Sequence, residues 1–334
     1  MKICIVGAGA IGGFLGVKLT GTGHDMTLIA RGAHLEAIKN NGLKLINEDG
    51  SEQVVKARAT QRMADAGPQD IVMLTLKAHQ VAPVVEELRT LLGPETMLVT
   101  LQNGVPWWYF QKHGGEFDGR IVEAVDPGGV LAAKIDVRHI IGCVVYPATE
   151  VVAPGVIRHI EGNRFSLGEL DGVETPRSKA LSEVLTQAGF KAPLTKNIRT
   201  EIWLKLWGNL AFNPISALTH ATLVDIAKFP PTRAFAAAIM TEAQTIANKL
   251  GVQFRLSLEK RIAGAEAVGK HKTSMLQDVE AGRPIELDAV VGAVVELGRL
   301  TRTPIPNIEA MYACAGLLAK TLAQEGGRLK IEPK

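Results

Sequence analysis

An apolar run, Ile3-Cys4-Ile5-Val6, leads straight into Gly7-Ala8-Gly9-Ala10-Ile11-Gly12, and a helical stretch follows as far as Gly21. In a strand–turn–helix the three glycines of GxGxxG permit a tight turn, close approach of backbone to a pyrophosphate, and close packing of helix on strand. The unpaired N–H groups and positive dipole end of the helix then attract the anion. In a chain with 34 glycines the string alone is weak. Its position between strand and helix makes Gly7, Ala8, Gly9, Ala10, Ile11 and Gly12 candidate dinucleotide-binding residues, with a merely tight βα turn as the alternative.

The pattern downstream agrees. As far as about Thr195, short β-rich runs alternate with helical patterns, the signature of a mostly parallel sheet covered by helices. Strands are expected at Ile3–Val6, Met26–Ala30, Ile71–Leu76, Met97–Leu101, Ile141–Tyr146, Gly155–Ile160 and Arg164–Leu167, the last three forming an antiparallel addition at one end of the sheet. A helix is expected over Arg177–Ala188. From Lys196 the pattern is helical throughout, with breaks at Asn213-Pro214, Pro230-Pro231, Gly251, Gly282–Pro284 and Pro304–Pro306. The fold class is therefore α/β: a Rossmann-type dinucleotide-binding domain over residues 1–194, then an all-α substrate and catalytic domain over 195–334, with a polar tail from Gln324 that frays.

Composition narrows the function classes. Lys plus Arg (37) against Asp plus Glu (34) leaves a net charge of +3 without basic runs, which argues against nucleic acid and membrane surfaces as partners. Cys4, Cys143 and Cys314 form no CxxC pair, and the eight histidines show no metal-ligand spacing, so neither a disulfide framework nor a metal site is expected. A reducing, cytoplasmic compartment fits. Lys2 and the uncharged stretch Ile3–Val17 imitate a signal peptide, but five glycines interrupt it and no clean cleavage site follows.

The second strand would end in Asp or Glu for a cofactor with a free 2′-hydroxyl. Here it ends Ile29-Ala30-Arg31-Gly32. Arg31 brings a positive fork to where a 2′-phosphate would lie, so NADP is expected over NAD, a plain surface arginine being the alternative. Two further strand ends, Thr75-Leu76-Lys77 and Leu101-Gln102-Asn103-Gly104, point to the same crevice, because ligands of open α/β sheets bind beyond the carboxyl ends of strands. A solvated Lys77 and an ordinary Asn-Gly turn are the plain alternatives.

Thr195 to Asn213 reads as one helix on which Glu201, Lys205, Asn209 and Asn213 recur every four residues. At 100° per residue each step drifts only about 40°, so they form one slowly turning stripe. Trp203, Trp207 and Leu210 lie opposite, on the core face. Asparagine is a poor helix-interior residue, and two in line with a lysine suggest a half-buried polar surface rather than a solvated face. That set suits reduction of a small keto acid. A ketone accepting hydride develops negative charge on oxygen, which an ammonium can stabilise and protonate.

Together these residues resemble the ketopantoate reductase (2-dehydropantoate 2-reductase) family, whose members are NADPH-dependent enzymes of pantothenate biosynthesis. The resemblance is carried by Gly7–Gly12, Arg31, Leu74-Thr-Leu-Lys77, Gln102-Asn-Gly104, the Asn197–Lys205 helix with Asn209 and Asn213-Pro214, and Thr273-Ser-Met-Leu-Gln-Asp278 followed by Ile285-Glu-Leu-Asp288. It implies a Rossmann-type domain followed by a helical domain, with the active site in the cleft. It also implies Lys205 as proton donor, Asn103, Asn209, Asn213 and Ser274 as substrate contacts, and Glu286 completing the site near cofactor and lysine. Lys77, Asn103 and Glu286 join Arg31 as cofactor contacts. On residue type alone Ser274 reads first as an N-cap and Glu286 as the start of a helix.

The chain departs from the family at Trp107-Trp108-Tyr109-Phe110, in about twenty extra residues before the Ile141–Tyr146 strand, and at Leu223, where a polar contact is usual. Those departures bear on which keto acid is reduced. The expected partner is a small-molecule 2-keto acid, most directly 2-dehydropantoate, with a homodimer as the assembly to test. Competing readings are a reductase of a bulkier keto acid, with one aromatic ring in the pocket, and a non-catalytic NADPH sensor.

Overall fold

A computed structural model describes residues 1–327. It divides into two units: Met1–Gln102, Trp107–Ile121 and Gly128–Ile198 form the first, and Asn103–Pro106, Val122–Pro127 and the chain from Arg199 onward form the second. The sequence pattern, which places a single boundary at 194/195, carries no sign of the two short excursions into the second unit.

In the first unit the strands are β1 (Lys2–Val6), β2 (Asp25–Ile29), β3 (Leu43–Ile46), β4 (Glu52–Val55), β5 (Arg58–Thr60), β6 (Gln69–Leu74), β7 (Leu92–Thr100), β8 (Ile140–Val145), β9 (Ala148–Ala153), β10 (Val156–Glu161) and β11 (Phe165–Gly168). A seven-stranded sheet runs in the order β11-β8-β7-β6-β1-β2-β5. It is parallel except for β11, which pairs antiparallel with β8 at one end. Val6 is level with Ile29 on one side and Leu74 on the other, and Leu74 with Thr100, so four strands end on one line. Strand order reverses at β1, where a doubly wound sheet opens its ligand crevice.

Residues 155–160 do not join this sheet, contrary to expectation. They lie in β10, which pairs parallel with β3 and antiparallel with β9, in a second sheet ordered β4-β3-β10-β9. The sequence pattern misses β3, β4, β5 and β9 because they are short and largely half-exposed, with charged residues such as Lys44, Glu52, Arg58 and Glu150 among them. The helices of this unit are α1 (Ala10–Thr20), α2 (Gly32–Asn41), α3 (Val85–Leu88), α4 (Val130–Lys134) and α5 (Pro176–Gln187). Helix α1 is buried around most of its circumference, because β3, β9 and β10 pack against it as well as the large sheet.

The second unit is helical: α6 (Ile198–Thr219), α7 (Leu223–Lys228), α8 (Pro230–Lys249), α9 (Leu258–Ala267), α10 (Ser274–Glu280), α11 (Ala293–Leu300) and α12 (Pro306–Gln324). The helix expected to stop at Asn213-Pro214 runs on to Thr219. Pro214 has no N–H and its ring crowds the Leu210 carbonyl, a cost of about 3 kcal/mol. Every residue from Leu210 to Ala217 is nonetheless buried, and that packing outweighs it. The tail expected to fray from Gln324 lies, beyond Gly327, outside the described residues.

Trp107, Trp108, Tyr109 and Phe110 are core side chains of the first unit, none more than 3% exposed. The Trp108 indole N–H donates to Thr100 Oγ1 at 2.9 Å, and its ring lies so close to Gly142 that a Cβ there would come within 2.8 Å. Trp108→Ala should therefore destabilise the protein by about 3–5 kcal/mol, read as a lower urea midpoint. A midpoint like that of the parent would contradict the packing described.

Candidate active site

Three elements build the dinucleotide edge of the first unit. Gly7, after β1, has φ +106°, open to glycine at little cost. A Cβ on Gly12 would stand 2.1 Å from Gly7 O and 2.6 Å from Thr75 Oγ1, so this glycine lets α1 press on the strand ends. Gly9 differs: a Cβ there would meet nothing within 4 Å. The protein's own packing does not require a glycine at that position, and the open space leaves the backbone accessible to a ligand. The residues therefore fit a bound dinucleotide. Arg31 stands exposed at the end of β2 as the residue capping α2, and Lys77 is half-buried just after β6. Thr75 Oγ1 donates to Gly7 O at 2.7 Å, tying the end of β6 to the glycine turn.

The sequence reading missed His34. Its Nε2 lies 2.7 Å from Ala8 O, and its Nδ1 accepts from the Gly155 N–H at 3.0 Å. With Nδ1 an acceptor, Nε2 carries the proton and donates to the glycine turn. A histidine three residues after the strand-ending Arg31 is the only sequence signal of this clamp.

In the second unit the polar stripe of α6 forms as expected, opposite the fully buried Trp203, Trp207 and Leu210. Lys205, half-buried, donates from Nζ to Asn103 Oδ1 at 2.5 Å. Asn103, Asn213, Ser274 and Glu286 line one cavity with Met275, Asp278 and Val290. Asn209 sits on the same stripe, one turn from Lys205 and from Asn213, but not in the cavity wall. Thr273, not Ser274, caps α10: its side chain accepts from the Leu276 N–H, which leaves Ser274 to the cavity. Asp278 is a site residue that the sequence pattern does not single out. It is buried in the cavity wall, and Arg283 Nε donates to it at 3.1 Å. None of the four clustered aromatic residues lines this cavity.

The family described as ketopantoate reductase PanE/ApbA matches residues 3–172, and its C-terminal counterpart matches residues 197–319. The 2-dehydropantoate 2-reductase of Mesorhizobium japonicum is 54% identical over 328 residues, 98% of this chain and 99% of the relative. The crystal structure of a provisionally named ketopantoate reductase from Ralstonia solanacearum MolK2 superposes with a TM-score of 0.91 at 41% identity, covering 96% of this chain and 98% of that one. A ternary structure of D-mandelate dehydrogenase with NADH and anilino(oxo)acetate has a TM-score of 0.83 at 22% identity, covering 97% and 99%, and shows a shared fold.

The glycine geometry separates two substitutions. Gly9→Ala should change stability by no more than about 1 kcal/mol, the range of helix N-cap changes, while weakening dinucleotide binding tenfold or more, about 1.4 kcal/mol. Gly12→Ala should destabilise the fold itself by about 1–3 kcal/mol or more. Thermal melts and fluorescence titration of the reduced cofactor distinguish them; a Gly9→Ala protein with undiminished binding would contradict the reading.

Proposed function

We propose, on the premise that this chain belongs to the ketopantoate reductase family, that it reduces 2-dehydropantoate to pantoate with NADPH. The observation that carries the proposal is the Lys205–Asn103 bond beside a cavity lined by Asn103, Asn213, Ser274 and Glu286. A nicotinamide cofactor, which Gly7–Gly12 and Arg31 would hold, would supply the hydride that the ketone carbon accepts. As oxygen gains charge, the Lys205 ammonium stabilises it and hands over a proton, leaving a neutral amine that solvent reprotonates. Asn103 fixes the direction of the ammonium. Asn209, Asn213 and Ser274 offer neutral donors to substrate hydroxyl and carboxylate groups, and Glu286 offers an acceptor for a hydroxyl.

Arg31 and the absent strand-end carboxylate support NADPH over NADH. Burial of the aromatic cluster removes the chief ground for a bulkier substrate, and a cofactor sensor needs neither Lys205 nor the amides around it. Burial pushes the Cys4 thiol up to about 12, so it stays an unreactive thiol. No helix among the described residues is long and apolar enough to cross a membrane.

Lys205→Ala should lower kcat by about 10²–10⁴-fold while KM changes little, since a proton donor acts on charge present only in the transition state. Asn209→Ala should chiefly raise KM. An NADPH-oxidation assay with 2-dehydropantoate tests both, and a Lys205→Ala enzyme with near-parental kcat would overturn the assignment. Arg31→Ala should cost NADPH about 1.5–3 kcal/mol more than NADH, the worth of a charge-assisted contact. Equal weakening of both cofactors would show that Arg31 does not read the 2′-phosphate.

A further inference from the structure

Between Glu286 and α11 the helix does not wind regularly. In an α-helix the Ala293 N–H would bond the Ala289 carbonyl; here it bonds Asp288 O, and Asp288–Gly292 forms a π-turn. The slip releases the Ala289 carbonyl, which accepts the Val105 N–H at 2.8 Å. Gly104 makes that approach possible. Its φ is +84°, and a Cβ on it would stand 2.2 Å from Ala289 O and 2.4 Å from Ala289 C. The residue before Gly104 is Asn103, whose Oδ1 accepts from Lys205. Tyr312 holds the turn from α12: its hydroxyl donates to Asp288 Oδ1 at 2.7 Å. Burial and that bond push the phenol up to about 12, so it remains a donor throughout the neutral range.

We propose that the π-turn Asp288–Gly292 is a positioning device for catalysis, docking the Asn103–Pro106 segment so that Asn103 aims the Lys205 ammonium. Gly104 and Tyr312 are its positioning residues. Neither is assigned contact with substrate. The inference rests on the reading of Lys205 as proton donor and names what fixes that donor's direction. A one-residue slip in a helix supplies one spare carbonyl at a fixed place, and a glycine is what lets a neighbouring backbone reach it.

The test is a double-mutant cycle in kcat with saturating cofactor. Gly104→Ala should lower kcat by roughly 10²-fold, the scale of a misplacement of about 1 Å in a reacting group. In an Asn103→Ala background the same substitution should change kcat by less than about twofold, because the group it positions is already gone. Tyr312→Phe, which removes a single oxygen, should lower kcat less and lose its effect in the same background. It carries the test should Gly104→Ala fail to fold.

Undiminished loss from Gly104→Ala or Tyr312→Phe in the Asn103→Ala background would overturn the proposal and leave the role of Lys205 standing. Parental kcat in Tyr312→Phe would overturn it too. If Lys205→Ala and Asn103→Ala themselves keep full kcat, the functional reading fails and the inference falls with it.

Discussion

The bond from a half-buried ammonium to an amide oxygen, Lys205 Nζ to Asn103 Oδ1 at 2.5 Å, is the contact on which the second unit's polar site depends. A cation taken partly out of water must be compensated by fixed acceptors. Those acceptors need rigid supports, and the fold supplies two. Helix α6 is anchored on its far side by Trp203 and by Trp207, whose indole N–H donates to Met240 O at 2.7 Å. The Asn103–Pro106 segment is tied to the Ala289 carbonyl. Helix α6 runs on through Pro214 to Thr219, with Ile215, Ser216 and Ala217 buried, and Asn213 lies two turns along the same stripe from Lys205.

The first unit solves a different problem, that of bringing backbone close to an anion. Parallel strands ending on one line place Gly7, Arg31 and Thr75 at one edge. The turn is then fastened from two sides, by Thr75 Oγ1 to Gly7 O and by His34 to Ala8 O. The open space beside Gly9 contrasts with the crowding at Gly12. Packing of the helix requires the glycine at 12, whereas nothing in the fold itself fills the space beside the glycine at 9.

What could be read from the sequence follows from how far each signal is repeated. The glycine turn stands between an unambiguous strand and helix, and the α6 stripe repeats over four positions, so both are visible in the string. Ser274 and Glu286 were legible only through resemblance, since a serine before a helix and a glutamate after Gly-Arg-Pro fit ordinary capping equally well. The π-turn left no trace, because Ala289-Val-Val-Gly292 is apolar on every side and a single phase shift inside so short an apolar run does not show in the pattern. His34 was invisible because its partners, Ala8 and Gly155, lie 26 and 121 residues away. The second sheet was missed because half-exposed strands carry too little apolar contrast to be told from loops.

The central claim is that Lys205 delivers the proton. The most direct measurement is the crystal structure of the protein with oxidised cofactor and pantoate. The secondary hydroxyl oxygen of pantoate should lie within about 3 Å of Lys205 Nζ, the reach required for proton transfer. A hydroxyl held by Ser274 or Asp278, with Lys205 Nζ beyond hydrogen-bond reach, would contradict the account.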